Sequence, residues 1–260
     1  MHTVTSQDGT RIAYECRGHG PLVVLVAPAL HDHRLGLPLA EELAGEYTVI
    51  SYDRRGRGAS GDTAPYAVER EIEDLAALIT AEGTAAAIYG HSSGGGLALH
   101  AAAHHLPVSK LVVHDPPYGP DSEDHRRGAR AIAEEVTNLL SQGLHREAVA
   151  SFLLAAGMPH EAAQQTSQDP ALESMAPTLA YDLAVMGNLE HGGAVPTQLL
   201  RRIAVPTLVL NGGESPQFMS ESGRQIASSL PDGHQEILDG QEHFVPAADL
   251  APRIAQFLRT

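Results

Sequence analysis

The stretch Ile88-Tyr89-Gly90-His91-Ser92-Ser93-Gly94-Gly95-Gly96 decides how this chain folds. The apolar run 85–89 predicts a buried strand, and the Ala/Leu-rich segment that starts at Leu97 predicts a helix. A strand, a sharp turn and a helix in this order are the setting in which Gly-x-Ser-x-Gly presents a nucleophilic serine. Small residues on both sides of that serine let the strand and the helix approach each other. Ser92, centred between Gly90 and Gly94, is therefore the predicted nucleophile.

Two other interpretations of this stretch are weaker. A frame centred on Ser93 would place His91 where the turn needs a small residue. A serine-rich turn that only caps a helix could carry the same letters, but the strand before it and the helix after it favour a nucleophile.

Composition limits the functions that this chain can have. Its 260 residues fit one large α/β domain, or a core with an inserted subdomain. The formal charge of −15 argues against binding to nucleic acid or to an anionic membrane surface, because both need basic patches. Cys16 is the single cysteine, which excludes an internal disulfide. No signal peptide or membrane-length apolar run is visible, so we expect a cytoplasmic protein that binds no membrane.

Strands and helices alternate along most of the sequence. Strands are predicted at 4–6, 11–16, 22–26, 47–52, 85–89, 108–113, 206–210 and 235–238. Such alternation predicts a mostly parallel sheet with active groups at the carboxyl ends of its strands. Residues 118–196 break the pattern, because they predict helices without a strand. The predicted organisation is thus a core of 1–117 and 197–260 with an inserted helical cap of 118–196.

Four features in this order resemble the α/β-hydrolase fold family. They are Asp53-Arg54-Arg55-Gly56-Arg57-Gly58-Ala59-Ser60, the Gly90–Gly94 elbow, the inserted segment, and Gly240-Gln241-Glu242-His243-Phe244. The chain looks most like the branch of esterases, cofactor-free haloperoxidases and epoxide hydrolases, especially its actinobacterial members. The resemblance implies an eight-stranded, mostly parallel sheet flanked by helices, with an inserted helical cap.

The resemblance also implies roles for individual residues. Ser92 would attack, and His243, in the loop before the last helix, would be the base that a serine hydroxyl needs. One oxyanion donor would be the Ser93 N–H. The other should come from the loop after Val26, where Ala27-Pro28 replaces the family's usual His-Gly pair. Proline has no N–H, so Ala29 is the expected donor, with Leu30 as the alternative.

The acid of the triad is the least conventional part of this sequence. Most of the family places it after the seventh strand, often as Asp-Pro, but this chain has Ser215 before Pro216. Asp115, at the end of the sixth strand, is the preferred acid, since some dehalogenase relatives place theirs there. Glu214 is the alternative acid, and a serine–histidine dyad stays open.

Neither a metal nor a cofactor is expected. His31, Asp32 and His33 form the best candidate cluster, but they lack the spacing of a zinc motif. The two histidines could contact substrate or lie solvated in their loop. Residues 53–60 show no phosphate-binding pattern, and their charges are expected to lock the turn.

These observations predict a serine hydrolase that cleaves a carboxylic ester or related acyl compound through an acyl-enzyme on Ser92. Its partner would be an apolar small molecule held between cap and sheet. Two alternatives stay open. The first is carbon–carbon cleavage, cyclisation or cofactor-free oxygenation on the same site, and the second is a non-catalytic ligand-binding protein. The sequence does not predict the oligomeric state.

Overall fold

One eight-stranded sheet runs through the computed structural model, which describes all 260 residues. Its strands are β1 His2–Thr5, β2 Arg11–Gly18, β3 Leu22–Val26, β4 Thr48–Tyr52, β5 Ala86–His91, β6 Val108–His114, β7 Thr207–Gly212 and β8 Gly233–Leu238. Their order across the sheet is β1-β2-β4-β3-β5-β6-β7-β8. The pairs β1–β2 and β2–β4 are antiparallel, and every other pair is parallel. This is the α/β-hydrolase fold, so the predicted fold class is confirmed.

Twelve helices surround the sheet. They are α1 Leu37–Leu43, α2 Val68–Glu82, α3 Ser93–Ala103, α4 Glu123–Ser141, α5 His145–Ala155, α6 His160–Thr166, α7 Pro170–Met175, α8 Leu179–Val185, α9 Asn188–His191, α10 Thr197–Leu200, α11 Gln217–Ser229 and α12 Ala247–Arg259. None of them is long and apolar enough to cross a membrane.

Both faces of the sheet are covered, and alternate residues of each strand divide between them. In β3, Val24 packs in the cluster formed with α2, α3 and α11, whereas Val23 packs in the cluster formed with α1 and α12. All five residues of β3 are buried, as expected for a central parallel strand. The apolar run that predicted this strand therefore reflects burial on both sides.

Helices α4 to α9 lie between β6 and β7 in the chain, where the sequence predicts an inserted segment. The only β-pairing there is a single bridge between Gly119 and Ala194. These helices build a third apolar cluster, which includes Ala29 and Leu30 from the loop after β3. The inserted helices thus rest directly on that loop. The division into a core and a cap stays a prediction.

Candidate active site

Ser92 occupies the sharp turn between β5 and α3. Its backbone has φ 54° and ψ −123°, a conformation that non-glycine residues rarely adopt. A Cβ on Gly90 would lie 2.3 Å from the Gly94 carbonyl oxygen, and one on Gly94 would lie 2.3 Å from the Val26 oxygen. Both positions therefore require glycine, as the motif predicts.

Helix α3 begins at Ser93, four residues before the predicted start at Leu97. The predicted start lies too far along the chain because glycines 94–96 have low helix propensity. Close packing against neighbouring backbone, rather than propensity, fixes this first turn. The helix therefore starts immediately after the predicted nucleophile.

Asp115 and His243 meet at the carboxyl ends of the strands. The His243 Nδ1 atom lies 3.1 Å from Asp115 Oδ2, and the Asp115 side chain is fully buried. Ser92 is linked to this pair by its backbone, because its N–H donates to the oxygen of His114, the residue before Asp115, at 2.8 Å. On the other side, the Nε2 atom of His91 lies 2.9 Å from the His243 carbonyl oxygen. The structure thus brings Ser92, Asp115 and His243 to one edge of the sheet.

Glu214, the alternative acid, lies apart from this group. It is exposed, and its carboxylate makes no hydrogen bond or ion pair. Only its backbone N–H is engaged, donating to the Gln241 oxygen at 2.8 Å. Of the two candidate carboxylates, the structure pairs Asp115 with His243.

The Asp115 carboxylate is held by three donors besides His243. Ser215 Oγ donates at 2.6 Å, Asn211 Nδ2 at 2.9 Å and the Gly212 N–H at 3.3 Å. Burial alone would raise the pKa of Asp115, but the hydrogen bonds from His243, Ser215 and Asn211 hold it below its ordinary value. Ser215 stands where the resemblance implies an acid, and here its hydroxyl donates to the carboxylate of the expected acid, Asp115. Sequence reasoning missed this role, although the unusual serine before Pro216 was its signal.

Contact with Asp115 fixes the chemistry of the His243 ring. When Nδ1–H donates to the carboxylate, Nε2 is the nitrogen left to take a proton. The ring is partly accessible, with 23% of its side-chain surface exposed. Ser92 is half-buried, and its hydroxyl makes no hydrogen bond to another group.

One expected oxyanion donor lies in the elbow and the other in the turn after β3. Ser93 is the first residue of α3, where N–H groups have no acceptor within the helix and the dipole favours an anion. Ala29 is buried in the turn after β3. Leu30, the alternative donor, has φ 59°, which is rare for a branched side chain.

Two arginines of residues 53–60 form ion pairs with the inserted helices as well as stabilising their own turn. Arg54 and Arg57 are fully buried, and both donate to Asp182 of α8 at 2.6 Å. The Ser93 hydroxyl donates to the same carboxylate at 2.8 Å. Sequence reasoning missed Asp182, because nothing local marks a residue whose partners are more than 80 positions away.

His33 and Asp32 lie close to Asp53, and His33 is hydrogen-bonded to it. Their ligand-type atoms all lie within 4.8 Å of one another. His33 Nδ1 lies 2.7 Å from Asp53 Oδ1, and Arg34 pairs with Asp32 at 2.7 Å. His33 is buried, so the expectation of a solvated loop residue is wrong for it. His31 lies outside this cluster, with Nδ1 2.8 Å from the Ala29 oxygen.

A cavity of about 220 Å³ lies behind the elbow, on the side of the sheet that carries α1 and α12. Its walls are mostly apolar. They include Pro28, Leu39, His91, His114, Phe244 and Leu250. The Phe244 ring makes an edge contact with His243 at 5.1 Å between centroids.

The sequence model of the alpha/beta hydrolase family matches residues 23–252. The chain is 35% identical over 115 residues to the uncharacterized hydrolase YraK of Bacillus subtilis (strain 168), which covers 42% of each chain. It is 33% identical over 134 residues to lipase LipV of Mycobacterium tuberculosis (strain ATCC 25618 / H37Rv), covering 45% of this chain and 51% of LipV. These alignments therefore span about half of the relatives or less.

Solved structures match over nearly the whole chain. An alpha/beta hydrolase from Sphaerobacter thermophilus DSM 20745 is 44% identical with a TM-score of 0.87, covering 99% of this chain and 100% of that one. An esterase from Thermogutta terrifontis is 24% identical with a TM-score of 0.75, covering 99% and 97%. The second likeness concerns the fold alone.

Proposed function

Because the chain belongs to the alpha/beta hydrolase family, we propose that it is a serine hydrolase that cleaves a carboxylic ester or related acyl compound. The observation that carries this proposal is the contact of 3.1 Å between His243 Nδ1 and a fully buried Asp115 carboxylate, beside the strained Ser92 turn. A carboxylate, an imidazole and a serine at one strand edge are the groups that acyl transfer needs.

Each group would do one part of the reaction. His243 Nε2 takes the Ser92 proton as the hydroxyl oxygen attacks the acyl carbon, and it later gives that proton to the departing alcohol. Asp115 holds the ring and stabilises the imidazolium that forms. The N–H groups of Ser93 and Ala29 bind the developing oxyanion. Water then attacks the acyl-enzyme on Ser92, with His243 again as the base.

We propose an apolar small molecule as the substrate, with the inserted helices acting as a cap over the site. Phe244 is 53% exposed next to His243, and the cavity behind the elbow has mostly apolar walls. Apolar groups around a few polar ones are typical of small-molecule sites. The name of the lipase relative supports the same class of reaction.

Ester hydrolysis by a Ser92→Ala variant tests this function. Initial rates with p-nitrophenyl butyrate should fall to the uncatalysed background, because the attacking oxygen is gone. The control is Ser228→Ala, which removes an exposed hydroxyl on α11 and should hydrolyse like the wild type.

Unchanged turnover in Ser92→Ala would overturn the assignment of the nucleophile. Fluorophosphonate labelling of Ser92 without hydrolysis of any p-nitrophenyl ester would instead favour a different reaction on this site. Absence of both labelling and turnover would point to a ligand-binding protein and would contradict the proposal.

A further inference from the structure

Arg57 is a buried arginine whose hydrogen bonds reach the loop after β3. Its Nη1 donates to the Pro28 carbonyl oxygen at 2.6 Å and to the His31 oxygen at 3.3 Å. Its Nε donates to Thr178 Oγ1 at 3.0 Å, and its Nη2 donates to Asp182 at 2.6 Å. One guanidinium therefore joins the loop that carries the expected oxyanion donor to the inserted helical segment.

The Pro28 carbonyl belongs to the same peptide group as the Ala29 N–H. In a planar trans peptide, C=O and N–H point in opposite directions, so fixing the oxygen also fixes the N–H. A charge-assisted bond to the oxygen also polarises the peptide, because hydrogen bonds in a chain strengthen one another. Arg57 thus orients Ala29 N–H away from the guanidinium and makes it a better donor.

The same contacts hold the strained residue beside Ala29. Leu30 at φ 59° lies between the two carbonyls, Pro28 and His31, that accept from Arg57. A left-handed conformation at such a residue is unfavourable and persists only where its surroundings enforce it. Arg57 supplies that constraint from the carbonyl side of the turn.

Asp182 connects this loop to the second oxyanion donor. Its Oδ2 accepts from Arg57, and its Oδ1 accepts from Arg54 and from the Ser93 hydroxyl. Arg54 in turn is paired with Glu71 at 2.7 Å, so two guanidinium groups face two carboxylates. Burial would raise the pKa of Asp182, but Arg57 and Arg54 hold it below its ordinary value. The carboxylate is therefore charged and fixed.

We propose that Arg57 is a positioning residue of the oxyanion hole, which aims the Ala29 N–H through the Pro28 carbonyl. Asp182 accepts from both Arg57 and Ser93 and so fixes the positions of their side chains relative to each other. This inference rests on the proposed function, since it assigns a role within the same site. It also explains how the site dispenses with the His-Gly pair that Ala27-Pro28 replaces.

The conservative variant Arg57→Lys gives the sharpest test. A lysine ammonium keeps the charge but lacks the planar fork that spans Asp182 and the Pro28 oxygen together. Loss of one oxyanion donor costs about 10²–10³ in kcat, and a misaimed donor costs less. We expect kcat on p-nitrophenyl butyrate to fall about 10- to 100-fold with KM changed less than about threefold.

Affinity for a transition-state mimic separates positioning from general damage. An alkyl trifluoromethyl ketone forms a tetrahedral oxyanion on the serine, so its affinity should weaken by the same factor as kcat/KM. The matched control is Arg55→Lys. Arg55 is equally buried in the same turn, but it pairs with Asp8 and Asp74 and does not touch the loop after β3. That variant should keep kcat and ketone affinity within about twofold, whatever stability it loses.

A charge-balanced double variant, Arg57→Met with Asp182→Asn, separates two explanations for a loss of kcat. One is a misoriented Ala29 N–H, and the other is an unpaired Asp182 carboxylate near the oxyanion. It removes the guanidinium without leaving an unpaired anion near the oxyanion, and the amide oxygen introduced on α8 can still accept from Ser93. We expect its kcat to stay at least about tenfold below the wild type. Recovery to the wild-type rate would overturn the proposal, since an unpaired carboxylate would then explain any loss in Arg57→Met alone.

Two further outcomes are decisive. Arg57→Lys with wild-type kcat and wild-type ketone affinity would overturn this inference while leaving the proposed function intact. A wild-type protein without any Ser92-dependent turnover or ketone binding would instead refute the proposed function, and this inference with it. All rates are normalised to the folded fraction measured by circular dichroism, so that unfolding is not counted as lost catalysis.

Discussion

His114 makes the stability of this protein sensitive to acid. It ends β6 beside Asp115, and only 1% of its side chain is exposed. Its Nδ1 lies 2.9 Å from the Tyr89 hydroxyl, whereas its Nε2 has no hydrogen-bond partner and faces Asp115 Oδ2 at 3.9 Å. The His91 ring is stacked on it at 4.7 Å. Burial lowers the pKa of His114 to about 4; Asp115 opposes this shift and His243 adds to it.

The sign and size of the effect follow from proton linkage. The unfolded chain binds a proton at this histidine near pH 6.5, but the folded chain resists it until about pH 4. Unfolding therefore takes up a proton between those values, and stability falls as the pH drops. From pH 7.5 to pH 4.5 the loss that belongs to His114 is about 2.5 kcal/mol.

Urea unfolding at these two pH values, followed by circular dichroism, measures this term. His114→Gln loses the Tyr89 hydrogen bond at both values, so only the change with pH is compared. The wild type should lose about 2.5 kcal/mol more than His114→Gln on acidification. His19→Gln, at an exposed histidine without contacts, should behave like the wild type. Parallel losses in the wild type and His114→Gln, within about 0.5 kcal/mol, would refute the reasoning.

Three further predictions test the rest of the site. Asp115→Asn should lower kcat by about 10⁴-fold and Glu214→Gln by less than about twofold in steady-state kinetics, since only Asp115 meets His243; the reverse order would refute the choice of acid. Adding Ser215→Asp to Asp115→Asn should raise kcat at least about tenfold above that of Asp115→Asn alone, because Ser215 Oγ lies 2.6 Å from the Asp115 oxygen that contacts His243. An unchanged kcat would contradict this geometry. Gly94→Ala should lower the free energy of unfolding by about 3 kcal/mol or more, because its Cβ would lie 2.3 Å from the Val26 oxygen; a melting temperature equal to the wild type would show that the elbow tolerates a methyl group.

Local patterns predicted a mostly parallel sheet and the edge at which the site lies, and the family resemblance implied the rest of the fold. Burial on both faces makes β3 a continuous apolar run. The elbow requires glycine at positions 90 and 94, and the Gly-x-Ser-x-Gly motif shows both in the sequence. The pairing of Asp115 with His243 could also be anticipated, because β6 and β7 are neighbours in this sheet order. In each case the physical cause acts within a few residues or follows from the strand order.

Contacts between residues that are distant in sequence account for the features that could not be predicted from the sequence. Asp182 is an ordinary helix residue by its neighbours, and only tertiary packing places it between two arginines and Ser93. His33 begins a short 3-10 helix in a polar stretch that is typical of a solvated loop, yet it is buried, with its Nδ1 2.7 Å from Asp53 Oδ1. Interactions between residues far apart in sequence leave no periodic signal, so a single sequence cannot predict them.

Mass spectrometry of the chain after reaction with a fluorophosphonate identifies the nucleophile. We predict one adduct, on the peptide that contains Ser92, and labelling slowed by at least about 10³-fold in His243→Ala, because the hydroxyl then lacks its base. An adduct on another residue, or an equal labelling rate in His243→Ala, would contradict the assignment of Ser92 and His243.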